Sequence, residues 1–157
     1  MKQKNSTPTA KRNRRIRLCM FASGLSVFAQ LYLFQPLLPE LCQFFGVEMA
    51  ASSLAVSLST IGMAAGLLFF AFTADSIARE RLMGMALIAS SLLTLATAFA
   101  VSFPLLLALS FLKGATLAGV SAVALAYLTE EIDKTVIGAA ISLYLSGNTI
   151  GGMSGRV

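Results

Sequence analysis

An all-helical integral membrane bundle is predicted by three observations: few charges, long uncharged runs, and a basic block ahead of the first apolar run. Of 157 residues, 57% are hydrophobic and 12% charged, where a soluble domain carries about 25% charged residues. Residues 49–74 form 26 consecutive uncharged positions, and residues 82–112 form 31. A helix needs roughly 20 apolar residues to cross about 30 Å of hydrocarbon, and a soluble core has no use for runs of that length. Seven of the twelve basic residues (Lys2, Lys4, Lys11, Arg12, Arg14, Arg15 and Arg17) precede the first apolar run. No aromatic residue is interleaved among them, as single-stranded nucleic acid would require. The block therefore reads as a topology signal that keeps the N-terminus inside, with attraction to anionic lipid, and not as a nucleic-acid surface.

Residues 1–15 are polar, basic and aperiodic, which predicts a disordered cytoplasmic tail. Residues 16–157 then divide into five spans, at about 18–38, 53–74, 82–101, 104–128 and 136–155. The break between the third and fourth is placed at Ser102, Phe103 and Pro104, because proline cannot continue a helix from inside it. A short loop over 40–52 contains Gly46 and Glu48 and no Lys or Arg. With the N-terminus inside, the tail, the 75–81 loop and the 130–134 loop are cytoplasmic. They hold seven, two and one Lys/Arg residues, and the outer loops hold none, as the positive-inside rule requires. Val27 and Ala29 would satisfy a signal-peptide cleavage pattern. The apolar run continues past them to Leu38, so a retained span is the expected outcome. The chain stops directly after the fifth span, at Arg156 and Val157, which is expected of a protein cut short.

Cys19 and Cys42 bracket the first span, roughly 35 Å apart if the intervening residues are helical. A disulfide needs Cα atoms within about 7 Å, so the two thiols are expected to stay unpaired. The absence of histidine removes the commonest general base and metal ligand. Gly152-Met153-Ser154-Gly155 has the look of an intramembrane serine protease site, but the serine would lack a base. No phosphate-binding glycine loop is present, so neither direct ATP drive nor any cofactor is encoded.

The glycines and the polar residues inside spans carry the remaining information. Gly147, Gly151 and Gly155 are spaced four apart on one helix face, as are Gly62 and Gly66, and such faces let another backbone approach closely. Gly114 and Gly152 join them as packing candidates. Gln30, Tyr32, Gln35, Tyr144 and Asn148 suit a central binding site, and interhelical hydrogen bonds account for them equally well. Lys113 lies nine residues past Pro104, roughly 14 Å into the bilayer. Holding a lysine there costs about 2.5–3.5 kcal/mol. It is either a functional, cavity-lining residue or a packing or snorkelling one.

Four stretches resemble the major facilitator superfamily. Between spans two and three, Asp75, Arg79 and Arg81 match that superfamily's loop signature, while Ala71, Ser76, Ala78 and Glu80 depart from it; a plain positive-inside loop would look similar. Gln35-Pro36-Leu37-Leu38-Pro39-Glu40-Leu41 followed by Phe45-Gly46-Val47, Tyr127-Leu128-Thr129-Glu130-Glu131-Ile132, and the stretch from Ser146 to Arg156 are similar to the ends of its first, fourth and fifth helices. The resemblance covers residues 16–157 and is strongest to inner-membrane transport proteins associated with efflux or proton-linked transport. It implies five helices of the N-terminal six-helix half of a two-half bundle, with the C-terminal half missing. It also implies a small-molecule substrate, the proton as coupling ion, and the lipid bilayer as surroundings. Asp75, Arg79 and Arg81 would form a gating loop. The fifth span echoes the superfamily's antiporter signature, with Asn148 in place of its proline. In the fourth, Ser110 replaces the usual arginine and Lys113 the usual glutamine, so the base sits one helical turn lower. The alternative is a small non-transporting membrane protein that associates with other helices through its glycine faces.

Overall fold

A peptide group in hydrocarbon has no water to bond, and a helix is the element that satisfies it within a single segment. The computed structural model describes residues 6–73, 78–132 and 135–154, and all seven elements among them are α-helices. They are α1 (Ser6–Tyr32), α2 (Leu38–Phe45), α3 (Met49–Ser52), α4 (Leu54–Thr73), α5 (Arg79–Ala98), α6 (Phe103–Glu131) and α7 (Ile137–Ser154). Among these, three stretches are long and apolar enough to cross a membrane: Met49–Phe72, Arg79–Ala98 and Phe103–Glu131. The sequence predicts five. Helices α1 and α7 have the length, at 27 and 18 residues, but arginines dilute the first and Gly, Ser and Asn the second.

The first span differs most from expectation. Instead of a disordered tail, the chain is helical from Ser6. Helical continuity places Arg12 where its Nη2 reaches the Glu131 carbonyl oxygen at 3.3 Å. Instead of one helix over 18–38, α1 stops at Tyr32 and a turn follows, with Gln35 N–H donating to the Tyr32 carbonyl at 2.9 Å. Pro36 is the cause: it has no N–H to offer Tyr32 and disfavours helical geometry at Gln35. Helix α2 then restarts with Pro39 in its first turn, where a missing N–H does no harm. Gly46 ends it in the left-handed region, at φ 64°, a conformation glycine adopts without steric penalty. The expected 40–52 loop is therefore mostly helical, and Ser53 joins α3 to α4 through an N–H bond to the Met49 carbonyl.

Pro104 sits in the first turn of α6, after an extended Ser102, and α5 has already ended at Ala98. At 29 residues, α6 is roughly 43 Å long. It packs on α4, α5, α1 and α7, while α1 pairs chiefly with α7. Half of the most apolar stretch of α6 is buried, against 22% and 28% for those containing α4 and α5. It is the central post of the bundle. Leu117, Val120, Val123, Ala124 and Leu128 from α6 meet Met20, Val27 and Leu31 of α1, Met83 and Ala86 of α5, and Tyr144 of α7. Outward, Leu68, Phe69, Phe72, Ile88, Leu92 and Leu95 are all more than 60% exposed, a set suited to contact with lipid.

Two helix pairs touch backbone to backbone. A Cβ built on Gly114 would collide with the Ser59 carbonyl, one on Gly62 with the Phe111 carbonyl, and one on Gly66 with the Ala115 carbonyl, joining α4 to α6. Gly147 and Gly151 approach the Phe21 and Leu25 carbonyls in the same way, joining α7 to α1. Gly24, not anticipated from the sequence, faces the Tyr144 carbonyl from the other side. Gly152 differs: its nearest neighbour, the Tyr32 ring, leaves an added Cβ at ordinary contact distance, 3.6 Å. Gly155 lies outside the described residues.

These contacts set an expectation for stability. Gly114→Ala should lower the unfolding free energy in detergent by about 1–3 kcal/mol, the range for overpacking a well-filled contact. Gly152→Ala should change it by less than about 0.5 kcal/mol. Denaturant titration followed by circular dichroism measures both.

Candidate functional site

Polar side chains in the interior of the bundle mostly look after themselves. Ser59 and Ser110, both fully buried, donate to the carbonyls of Ala55 and Leu106 one turn back, at 2.9 and 2.7 Å. Ser90 donates to the Leu87 carbonyl at 3.0 Å. Such local bonds satisfy a hydroxyl without any partner helix. Ser110, fully buried, is one of these.

Lys113 is different. It is fully buried, with 0% exposure, and its Nζ has no hydrogen-bond partner among the described residues. Its neighbour is the Phe34 ring, whose centroid lies 4.2 Å from Nζ. A desolvated cation over an aromatic face gains about 2 kcal/mol. A lysine at membrane depth costs roughly 2.5–3.5 kcal/mol. The two magnitudes are comparable, and an ionisable residue buried within an apolar helix is by default a candidate functional group. The lysine neither snorkels nor opens onto a cavity; Phe34 covers it. Phe34, only 5% exposed, comes from the turn that Pro36 imposes after α1. Nothing in the sequence distinguished it from other core aromatics.

Of the polar candidates, Gln30 accepts a hydrogen bond from Thr94 of α5 at 3.0 Å. Thr94 and Phe34 both line a cleft of about 610 Å³ between the end of α1, α2, the end of α5 and the start of α6. Gln30 and Lys113 are therefore neighbours of one cleft. Tyr144 and Asn148 are elsewhere: the Tyr144 ring is buried against α6 and faces Ser121, eight positions past Lys113, roughly 12 Å along the helix. The Ser121 and Asn148 side chains both face the Tyr144 hydroxyl. Tyr32 packs on Phe28, ring centroids 6.3 Å apart, and Gln35 is half-buried in the turn. The six candidates do not form one cluster.

At the basic end, the expected gating loop is partly visible. Asp75 lies outside the described residues. Arg79 Nη1 pairs with Glu130 Oε1 at 2.6 Å, and Arg12 Nη2 with Glu131 Oε2 at 3.6 Å. Arg81 is exposed. Two carboxylates at the C-terminal end of α6 oppose the helix dipole, and the two arginines offset that. They also tie the starts of α1 and α5 to the end of α6. Glu130 and Glu131 read from the sequence only as a polar turn; their partners are distant in the chain and carried no local signal.

The Major Facilitator Superfamily model matches residues 19–157. The chain is 44% identical over 143 residues to the inner membrane transport protein YnfM of Escherichia coli, which covers 91% of this chain and 34% of that protein. It is 42% identical over 144 residues to the MFS-type transporter YybF of Bacillus subtilis, covering 92% and 36%. A transporter of Buchnera aphidicola is 37% identical over 147 residues, covering 94% and 36%. The chain thus spans about a third of the length of the relatives it matches. No solved structure matches it.

The two ion pairs should differ in strength. A double-mutant cycle of Arg79→Ala with Glu130→Ala should give a coupling of about 0.5–1 kcal/mol that shrinks in high salt. The longer, more exposed Arg12–Glu131 pair should give close to zero. Stability of the four variants in each cycle measures both couplings.

Proposed function

Because the chain belongs to the Major Facilitator Superfamily, we propose that it forms part of a secondary active transporter for a small molecule in a bacterial inner membrane. All five long helices cross the bilayer in this reading, α1 and α7 included, since each pairs along its length with the other through glycine faces. The N-terminus is cytoplasmic in this reading: the basic start of α1, the start of α5 and the end of α6 meet through Arg12–Glu131 and Arg79–Glu130, and the positive-inside rule assigns that end to the cytoplasm. Transport proceeds by alternating access between two six-helix halves around a site near the midplane. These helices supply most of one half, and further chain must supply the other. The single observation that carries a transport role is Lys113, a buried cation within an apolar helix with no hydrogen-bond partner among the described residues.

The mechanism follows from the interior contacts. The α4–α6 and α1–α7 pairs, in backbone contact, are stiff units that would rock as bodies. Arg79 with Glu130, and Arg12 with Glu131, hold the cytoplasmic end together and release when the bundle opens there, with Asp75 and Arg81 completing the gate. Lys113 binds the substrate or modulates proton coupling, and export against proton entry is the proposed direction. Gln30, Tyr32, Gln35, Tyr144 and Asn148 complete the substrate path.

Topology is tested by single cysteines at two exposed positions, Glu48→Cys and Ala78→Cys, in a background lacking Cys19 and Cys42. In intact cells an impermeant maleimide should label position 48 and leave position 78 unlabelled; the reverse would overturn the orientation. Transport is tested in proteoliposomes carrying a pH-sensitive dye and an imposed proton gradient. A panel of alkyl and aryl carboxylates, amines and sugars should contain compounds that dissipate the gradient through the complete two-half transporter. The 157-residue chain alone should give no flux. Lys113→Met should cut the rate by about tenfold or more, equivalent to about 1.4 kcal/mol of barrier, with insertion unimpaired. A fully active Lys113→Met would remove the lysine from the mechanism.

A further inference from the structure

The Phe34 ring covers the Lys113 ammonium. The same residue forms part of the wall of the cleft of about 610 Å³, with Leu37, Leu41, Phe44 and Leu106. That volume lies within the roughly 300–1,000 Å³ typical of small-molecule pockets. Side chains on a helix lean toward its N-terminus, so Lys113 reaches back along α6 toward Leu106 and the cleft. Phe34 is thus shared between the cleft wall and a cation that has no hydrogen-bond partner among the described residues.

The two threonines of the cleft wall bond within the protein, while Glu40 and Gln43 stand exposed at its α2 side. Thr97 donates to the Thr94 carbonyl at 2.6 Å, and the Thr94 hydroxyl shares its one proton between the Ser90 carbonyl and Gln30 Oε1. Glu40, its one carboxylate, is exposed at the wall contributed by α2 and makes no ion pair with Lys113. A cationic ligand would gain nothing from the buried end and would meet Lys113 there. A neutral apolar ligand would leave the lysine as unsatisfied as before. Only an anion with an apolar body uses both parts. Phe34 belongs to the turn between α1 and α2 and not to either helix, and it packs with Ala55, Ala100 and Leu106.

We propose that the cleft and Lys113 form one binding site for an amphipathic carboxylate. The apolar body lies against Leu37, Leu41 and Phe44, the Phe34 ring swings aside, and the carboxylate takes over the Lys113 ammonium. The site rests on the transporter reading only for where the ligand goes next. Binding itself is an equilibrium property of the chain, so a failure of flux and a failure of binding are separately visible.

The chain contains no tryptophan, so Phe34→Trp introduces a single fluorescent reporter that still offers Lys113 an aromatic face. In nonionic maltoside micelles, 10-bromodecanoate should quench it saturably and about tenfold more tightly than neutral 10-bromodecanol. A tenfold preference is what a charge-assisted contact of ordinary strength provides. Adding Lys113→Met, or Lys113→Gln as a second neutral variant, should erase the preference for the acid. Both remove a buried charge and should fold at least as well as the parent, checked by circular dichroism. Lys113→Arg should retain the preference. A reporter at Leu92→Trp, on the outward face at 62% exposure, should show only non-saturable quenching by both compounds. Equal quenching of the Phe34→Trp reporter by acid and alcohol would overturn the proposal. So would an acid preference that survives loss of the lysine charge, or a saturable response to phosphatidylglycerol with none to bromodecanoate.

Discussion

Backbone contact between helices is the interaction on which the rest of this bundle depends. In lipid, no hydrophobic drive brings two apolar helices together, and close van der Waals packing has to do so. At Gly62, Gly66 and Gly114 there is no side chain between α4 and α6, and each helix rests on carbonyls of the other. Gly24, Gly147 and Gly151 do the same for α1 and α7. With the two pairs drawn tight, α6 becomes a post that every other long helix reaches.

A tight interior leaves little room for polar groups, and most are handled within their own helix. Ser59, Ser90 and Ser110 each bond to a carbonyl three or four residues back. Lysine has no such option, because its three donors require acceptors that a helix backbone does not expose. Lys113 is accordingly buried with the Phe34 ring over its ammonium and no hydrogen-bond partner among the described residues. The contrast between self-satisfied hydroxyls and an unsatisfied ammonium is what singles out this region.

At the opposite end from the cleft, the charges are arranged on a different logic. Glu130 and Glu131 lie at the end of α6 where carboxylates are electrostatically disfavoured, and arginines from α1 and α5 meet them. Surface pairs of this kind contribute little to stability, about 0–1 kcal/mol each. They suit a contact that opens and closes better than one that holds a fold together.

Much was determined by local pattern alone. The length and neutrality of the runs after Glu48 and Arg81 dictate membrane helices, because the hydrocarbon thickness sets a minimum length that no other use of the chain demands. Pro104 marks a boundary through its missing N–H. Gly62, Gly66, Gly147 and Gly151 stand out by spacing, since four-residue intervals align on one helix face. The family is legible for the same reason, in short stretches at helix ends. The kink at Pro36 was also written in the chain, yet an unbroken apolar run concealed it, because hydropathy does not register a lost hydrogen bond. Tertiary structure alone decided the partners: Phe34 over Lys113, Thr94 on Gln30, Glu130 on Arg79, and Gly24 beneath α7. Each pair joins residues more than 40 positions apart, and side-chain chemistry at one position carries no information about which distant face will be brought against it. That choice belongs to helix packing, and packing is settled by the shape of the whole bundle.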